Sequence, residues 1–471
     1  MAALTPDLCV IGAGAGGLAV AAGAAQMGAS VVLVERGKMG GDCLNVGCVP
    51  SKSLIAAAAL VHQRRRGAEL GVASGPPIVD IAEVGDSIGR VVSRLAPNDS
   101  VERFESLGVT VRQAEAKFID PRAVRAGDSE IRARRFVVAT GSSPLIPAIP
   151  GLNRVPYFTN ETIFDNREPL PQLVVIGGGA VGIELAQAYR RLGSEVTVID
   201  ERPLLWREDP ELVAILTETL RAEGVALCPS AAITRIERDG DNIAVTLATG
   251  ERIAASHLLV AAGRMPNTAA LDLAAAGIAA TQYGITVDPR MRTTNRHVFA
   301  IGDVAVGPNF THVALYQAGI VIRNALFRLP AKADYRAMPR VTYSDPELAQ
   351  VGMTETTARD AYRAKIRVLR WNFAENDRAQ TERETTGMVK VITTARGRVL
   401  GASILGRGAG DQITLWVLAV SQKLKISTIA NLVMPYPTRG EAGKRAAGSF
   451  FTPTLFSPRT RRLVQRLARF G

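Results

Sequence analysis

The sequence predicts an α/β protein with two doubly wound, Rossmann-like domains followed by a C-terminal α+β domain. Three observations predict it. A glycine-rich strand–turn–helix unit occurs twice, with every landmark displaced by 165 residues. Each copy leads into a β-rich stretch that closes on a strand and a small-residue turn. After about residue 340 no further glycine fingerprint occurs, and strand-like runs precede a helical stretch. The composition accords with this, since 471 residues, 47% hydrophobic and 21% charged, can bury several cores. Such a chain is too apolar for disorder, and 4 cysteines cannot brace a secreted scaffold of this length.

In the first copy, Leu8-Cys9-Val10-Ile11 runs into Gly12-Ala13-Gly14-Ala15-Gly16-Gly17, an alanine-rich helix, and the strand Val31-Val32-Leu33-Val34 ending at Glu35. In the second, Leu173-Val174-Val175-Ile176 runs into Gly177-Gly178-Gly179-Ala180-Val181-Gly182, a helix, and Val196-Thr197-Val198-Ile199 ending at Asp200. The glycines have separate tasks. Gly12 and Gly177 permit the tight turn, Gly14 and Gly179 let backbone amides approach a pyrophosphate, and Gly17 and Gly182 let helix pack on strand. Phosphates then lie at a helix N-terminus, where unpaired N–H groups and the dipole favour negative charge. Glu35 and Asp200 each fall 18 residues past the last glycine, where an acid accepts from a ribose hydroxyl. Two dinucleotide sites follow from this doubled pattern.

The strand-and-turn that closes each copy is Phe136-Val137-Val138-Ala139-Thr140-Gly141 in the first and Leu258-Leu259-Val260-Ala261-Ala262-Gly263 in the second. Pro144, Pro147 and Pro150-Gly151 punctuate the first as a domain junction would. Further on, strands are expected over Gly387 to Thr393 and Val399 to Leu405, and a helix from Asp411 to Leu424. These landmarks divide the chain at 1–150, 151–275, 276–338 and 339–471, with the first and third segments sharing one domain.

The segment Gly40-Gly41-Asp42-Cys43-Leu44-Asn45-Val46-Gly47-Cys48-Val49-Pro50-Ser51-Lys52 has no counterpart in the second copy, so the fold does not require it. Cys43 and Cys48 lack the second pair a zinc knuckle needs. In a regular helix they would stand about 7.5 Å apart along the axis, too far for a disulfide. Gly47 and Pro50 permit an irregular turn that brings them together, and a helix starting near Pro50 aims its positive end at Cys48. Cys9 and Cys228 read as ordinary free thiols.

This segment resembles the redox-active motif of the class I pyridine nucleotide–disulfide oxidoreductases, the family of lipoamide dehydrogenase, glutathione reductase and mercuric reductase. The likeness spans nearly the whole chain. Thr140-Gly141 and Gly263-Arg264-Met265-Pro266-Asn267 fall at the family's strand-end motifs, and Gly302-Asp303 at its second flavin motif. The resemblance implies FAD on the first fold, with Asp303 holding the ribityl chain, and a nicotinamide dinucleotide on the second. It implies that reduced nicotinamide delivers hydride to the flavin and that Cys48 then receives the electron pair. Cys43 is then the outer thiol that meets the acceptor. Lys52 falls where the family places a lysine near the reactive flavin nitrogen, paired with a glutamate at the position of Glu184. The family's C-terminal domain works across a homodimer, so Tyr436 and Glu441 are expected beside the other subunit's thiols.

Asp200 favours NADH, because a carboxylate repels the 2′-phosphate of NADPH. Arg202 and Arg207 lie close enough in sequence to hold that phosphate, which leaves NADPH open. The C-terminal motif departs from lipoamide dehydrogenase and glutathione reductase: Tyr436-Pro437-Thr438-Arg439-Gly440-Glu441 carries tyrosine where they have a catalytic histidine. A phenol titrates near pH 10 and is a poor general base. Tyrosine at this place is similar to mercuric reductase, and thiolate pairs suit soft metals. The expected acceptor is a soft metal ion or a small disulfide. The alternatives are dihydrolipoamide oxidation and a non-catalytic, NADH-sensing flavoprotein.

The excess of 56 basic over 44 acidic residues is partly terminal, with five arginines and no acid over 457–471. No run interleaves aromatic and basic residues, so nucleic acid is not an expected partner. Leu463, Val464, Leu467 and Phe470 share one helical face, which suits packing on a partner subunit or on the body of the protein ahead of a weak peripheral membrane contact. No apolar run approaches the roughly 20 residues that cross a bilayer, and no secretory pattern opens the chain. A cytoplasmic protein is expected.

Overall fold

The computed structural model describes residues 3–72 and 75–470. The chain divides into two compact units: Met1–Gly178 with Ala188–Glu201 and Ser230–Asp334, and Gly179–Gln187 with Arg202–Pro229 and Tyr335–Gly471.

In the first unit, strands Val298–Ala300, Arg135–Val138, Leu8–Ile11, Val31–Glu35 and Val109–Gln113 lie side by side in that order. All neighbours run parallel, Leu8 lying opposite both Val31 and Arg135. A parallel sheet covered on both faces needs unbroken apolar strands, which is what Leu8–Ile11 and Val31–Val34 supply. Leu8, Val10, Val31 and Leu33 pack with the helices Ala15–Gln26 and Thr311–Ala325. Cys9, Ile11, Val32 and Val34 pack against an antiparallel layer of Ala116–Asp120, Ala123–Ala126 and Ser129–Ile131. At the tip of the first strand Gly12 adopts φ +104°, and a Cβ there would lie 2.4 Å from Ala139 O.

The second copy repeats this. Gln172–Ile176 runs parallel to Glu195–Asp200 on one side and His257–Val260 on the other. Gly177 has φ +119° and would set a Cβ 2.4 Å from Ala261 O. The helix Ala180–Leu192 follows, and Ile233–Asp239, Asn242–Leu247 and Arg252–Ala255 form a meander.

The second unit is built on an antiparallel sheet, Arg340–Thr342, Glu347–Gly352, Val399–Gly406, Met388–Thr394 and Ile366–Asn372 in that order. The helix Ala409–Ser421 packs on two of these strands and buries Trp416, while Glu441–Ser449 packs on Ile366–Asn372 and Met388–Thr394. Lys390, 2% exposed, has its Nζ 3.0 Å from Asp209 Oδ1, 2.8 Å from Glu211 Oε2 and 2.9 Å from Glu355 Oε2.

Two expectations are corrected. The helix after the thiol segment starts at Cys48 and runs to Arg66, rather than beginning near Pro50, because proline is tolerated inside a first turn. Helical structure across Gly41–Leu70 also includes an 18-residue window with mean hydropathy 1.5, long and apolar enough by length and composition to cross a membrane. A strictly apolar run ends at His62, but hydropathy averaged along a helix carries past single polar residues. The Cys48–Arg66 helix packs against Ile81–Leu95 and carries Cys48 and Lys52.

Candidate active site: the Cys43–Cys48 dithiol

Gly40 and Gly41, at φ +89° and +60°, turn the chain into a one-turn helix, Gly41–Asn45. The Gly40 N–H donates to Ala13 O at 2.9 Å, which anchors this turn to the first glycine loop. Val46 and Gly47 then break the helix, and Cys48 opens the next. The break solves the spacing problem, since two short helices with a kink bring together sulfurs that one straight helix would separate. Both cysteines are free thiols.

Their acidities diverge. The Cys43 S–H donates to the Cys48 sulfur, and this bond is the largest cause lowering the Cys48 pKa to about 6. Thr311 Oγ1, 3.6 Å from Cys48 Sγ, and the Lys52 charge act in the same direction. Donating that proton, and burial, push the Cys43 thiol far up. Cys48 also sits at a helix N-terminus, which favours a thiolate.

The two strand-end acids hold their own glycine loops. Glu35 Oε2 accepts from Ala13 N at 2.6 Å, and Asp200 Oδ2 accepts from Gly178 N at 2.6 Å. Gly12, Gly14 and Gly17 lie at the first of these turns, and Gly177, Gly179 and Gly182 at the second. Thr140 Oγ1 donates to Asn267 O at 2.8 Å, and Asn267 Nδ2 returns a bond to Thr140 O, so the two strand-end turns with Gly141 and Gly263 are interlocked. Asp303, beside Gly302, accepts from Ser142 Oγ at 2.7 Å, and burial raises its pKa.

Lys52 is half-buried on the Cys48 helix in the first unit. Glu184 is 5% exposed in the second unit, where Oε1 accepts from Tyr343 N at 2.8 Å. Tyr436 is 69% exposed and donates its hydroxyl to Asp377 Oδ2 at 2.7 Å, which raises its pKa further. Glu441 opens the helix Glu441–Ser449 and accepts from Arg445 at 2.8 Å. The glutamate therefore does not orient the tyrosine through these bonds; Asp377 does. Asp377, Thr311, Asn160 and Arg264 were not marked by sequence reasoning. Arg264 stood inside the Gly263–Asn267 stretch, whereas Asp377 and Asn160 carried no local signal.

A model of the pyridine nucleotide-disulphide oxidoreductases matches residues 6–318, and a model of that family's dimerisation domain matches residues 338–447. The chain is 36% identical over 451 residues to a mercuric reductase of Lysinibacillus sphaericus, covering 94% of this chain and 82% of that protein. It is equally identical, over 458 residues, to a dihydrolipoyl dehydrogenase of Geobacillus stearothermophilus, covering 94% and 96%. Among solved structures, the Cu(II) complex of the HOCl-induced flavoprotein disulfide reductase RclA from Escherichia coli superposes with a TM-score of 0.85. The two chains share 28% identity, with 93% of this chain and 98% of that one covered.

Proposed function

The chain belongs to the pyridine nucleotide–disulphide oxidoreductases, dimeric flavoenzymes that bind FAD and use NAD(P), and on that premise we propose that it draws electrons from NADH into the Cys43–Cys48 pair and delivers them to a soft metal ion or a small disulfide. The glycine turn at Gly12, Gly14 and Gly17, the acid Glu35, and the buried-side carboxylate of Asp303 fit FAD. FAD, when bound, supplies the two-electron link between nicotinamide and the dithiol.

The observation that carries the reading is the split between the thiols. The kink at Val46–Gly47 brings the two free thiols within one hydrogen bond, which lowers the Cys48 pKa and raises that of Cys43. A dithiol of this kind gives two electrons and becomes the disulfide. With a disulfide acceptor, Cys43 passes its proton to Cys48 across their hydrogen bond and attacks one sulfur; the leaving thiolate takes that proton from Cys48, which then attacks Cys43 and releases the second thiolate. With a soft cation, the two sulfurs bind it as thiolates before the electrons transfer. The second mode releases the Cys43 proton to solvent once and returns none to the acceptor, so it calls for no dedicated acid–base residue. It therefore suits a chain whose C-terminal motif carries a phenol bonded to Asp377 in place of a histidine. The mercuric reductase and Cu(II)-bound relatives support the same preference. The likeness to dihydrolipoyl dehydrogenase favours dihydrolipoamide as the second reading.

Asp200 supports NADH over NADPH, and the Arg202 and Arg207 guanidiniums are occupied over the Trp206 ring at 5.3 and 4.8 Å. The exposed apolar face of Pro458–Leu467 lies beyond the matched dimerisation domain and is assigned to the partner subunit ahead of a weak membrane contact. The test is steady-state turnover with NADH against Hg(II), Cu(II), lipoamide and glutathione disulfide. Metal turnover lost in both Cys43→Ser and Cys48→Ser is expected. Lipoamide turnover exceeding metal turnover would overturn the ranking of acceptors.

A further inference from the structure

The segment between the two thiols is held from outside by residues far away in sequence. Asp42, next to Cys43, offers Oδ1 to Arg264 Nη2 at 3.0 Å and to Asn160 Nδ2 at 3.2 Å. The same Asn160 amide donates to Val46 O at 3.1 Å, so one side chain grips both ends of the Asp42–Val46 turn. On the inner side, Asp42 Oδ2 stands 2.7 Å from where a Cβ on Gly47 would lie, so the carboxylate is seated against the kink before Cys48. Arg264 is fully engaged. Its Nε donates to Ser142 Oγ at 2.7 Å and stands 3.7 Å from Asp303 Oδ2, its Nη2 also donates to Ser142 O at 2.7 Å, and its Nη1 to Asn160 Oδ1 at 3.3 Å. The antiparallel pair Ser142–Pro144 and Arg264–Pro266 fixes the base of this fork.

We propose that Arg264 is a positioning residue for the dithiol, acting through Asp42 and Asn160 to hold residues 42–47 in the kinked form and to cancel the Asp42 charge beside the sulfurs. The proposal rests on Cys43 and Cys48 being the reacting pair, but not on the identity of the acceptor. A planar guanidinium can bind several acceptors in fixed directions, which an ammonium cannot. The charge has a consequence of its own. The groups that act on Cys48 are Cys43 and Asp42 from the preceding turn, Lys52 from its own helix and the neutral Thr311 hydroxyl from the facing helix. Of the charged ones, Lys52 favours the thiolate and Asp42 opposes it. Arg264 balances the one that opposes.

Two measurements on the FAD-loaded enzyme separate geometry from charge. The pH dependence of iodoacetamide alkylation reads the Cys48 thiolate. Equilibration against reduced and oxidised dithiothreitol, which exchanges two electrons and two protons with the pair, reads how well the sulfurs are placed for bonding. Arg264→Gln is expected to raise the apparent Cys48 pKa by about one unit, a tenfold loss of thiolate at pH below both values. At pH 5, where Cys48 is protonated in both proteins and the thiolate does not weight the reduced form, it should also lower the disulfide-forming equilibrium constant about tenfold. Arg264→Lys should recover the pKa but not the equilibrium constant, and Asp42→Asn with Arg264→Gln should do the same. Asn160→Ala should lower the equilibrium constant alone. A purely structural role would lower the melting temperature of Arg264→Gln and leave both thiol readings within twofold of the parent, which overturns the proposal. Should Arg264→Gln fail to fold, the Arg264→Lys and Asn160→Ala readings decide it alone, and unchanged values in both overturn it.

Discussion

Cys43 and Cys48 are one residue type, five positions apart, yet their protons are held with opposite strength. The lowered pKa of Cys48 enlarges its thiolate fraction at neutral pH over the few per cent of an unperturbed thiol. Because the Cys43 hydrogen bond is the leading cause, Cys43→Ala should move the alkylation midpoint of Cys48 upward from about pH 6 toward the free-thiol value. A midpoint that stays put would remove the hydrogen bond as the cause. Tyr436 is the other decisive single residue. Its hydroxyl donates to Asp377, so it holds a proton rather than taking one. Tyr436→His should raise lipoamide turnover by about tenfold or more, since a placed acid–base group contributes about 10²–10⁴-fold. Sequence comparison within the motif exposed the tyrosine, but its bond to Asp377 joins residues 59 apart and had no local signature.

At the scale of elements, the sheet of the second unit carries its own charged core. Burial works against the Lys390 ammonium but is outweighed by Glu211, Asp209 and Glu355, so its pKa is raised. Replacing Lys390 by Met leaves the buried Asp209 carboxylate without its cation, while Glu211 and Glu355 keep Arg370, and should cost about 3 kcal/mol, read as a lower denaturation midpoint. Arg370 and Lys390 together lower Glu211 to about 2, with the Arg370 bond the larger cause. A depressed acid stabilises the fold above its unfolded pKa, about 4.3, and that contribution is lost as pH falls through about 2. The melting temperature of Glu211→Gln should therefore lie below the parent's at pH 6, with the gap closing between about pH 4 and pH 2. Strand and helix positions in this unit were readable from apolar periodicity: Met388–Thr394, Val399–Gly406 and Ala409–Ser421 fall within a few residues of expectation. The ion cluster was not, because Asp209, Glu211, Glu355 and Lys390 meet only after folding.

For the whole molecule, the C-terminal helix is the open surface. Leu463, Val464, Leu467 and Phe470 are 55–86% exposed, and no acid interrupts the arginines around them. Deleting residues 457–471 should shift the subunit equilibrium about tenfold toward monomer in sedimentation or light scattering. An intact dimer that instead loses co-sedimentation with phosphatidylserine vesicles would assign the face to a membrane. The sequence by itself determined the doubled nucleotide-binding architecture, the thiol pair and the odd tyrosine. Those features depend on short-range rules: strand periodicity, glycines where a Cβ has no room, and an acid at a strand's end. Only the tertiary structure decided that Cys43 donates its proton to Cys48, what Tyr436 bonds to, and that Asp42, Asn160 and Arg264 grip the turn that carries the sulfurs. Those outcomes depend on hydrogen bonds between residues as many as 263 positions apart, whose partners a linear pattern cannot specify.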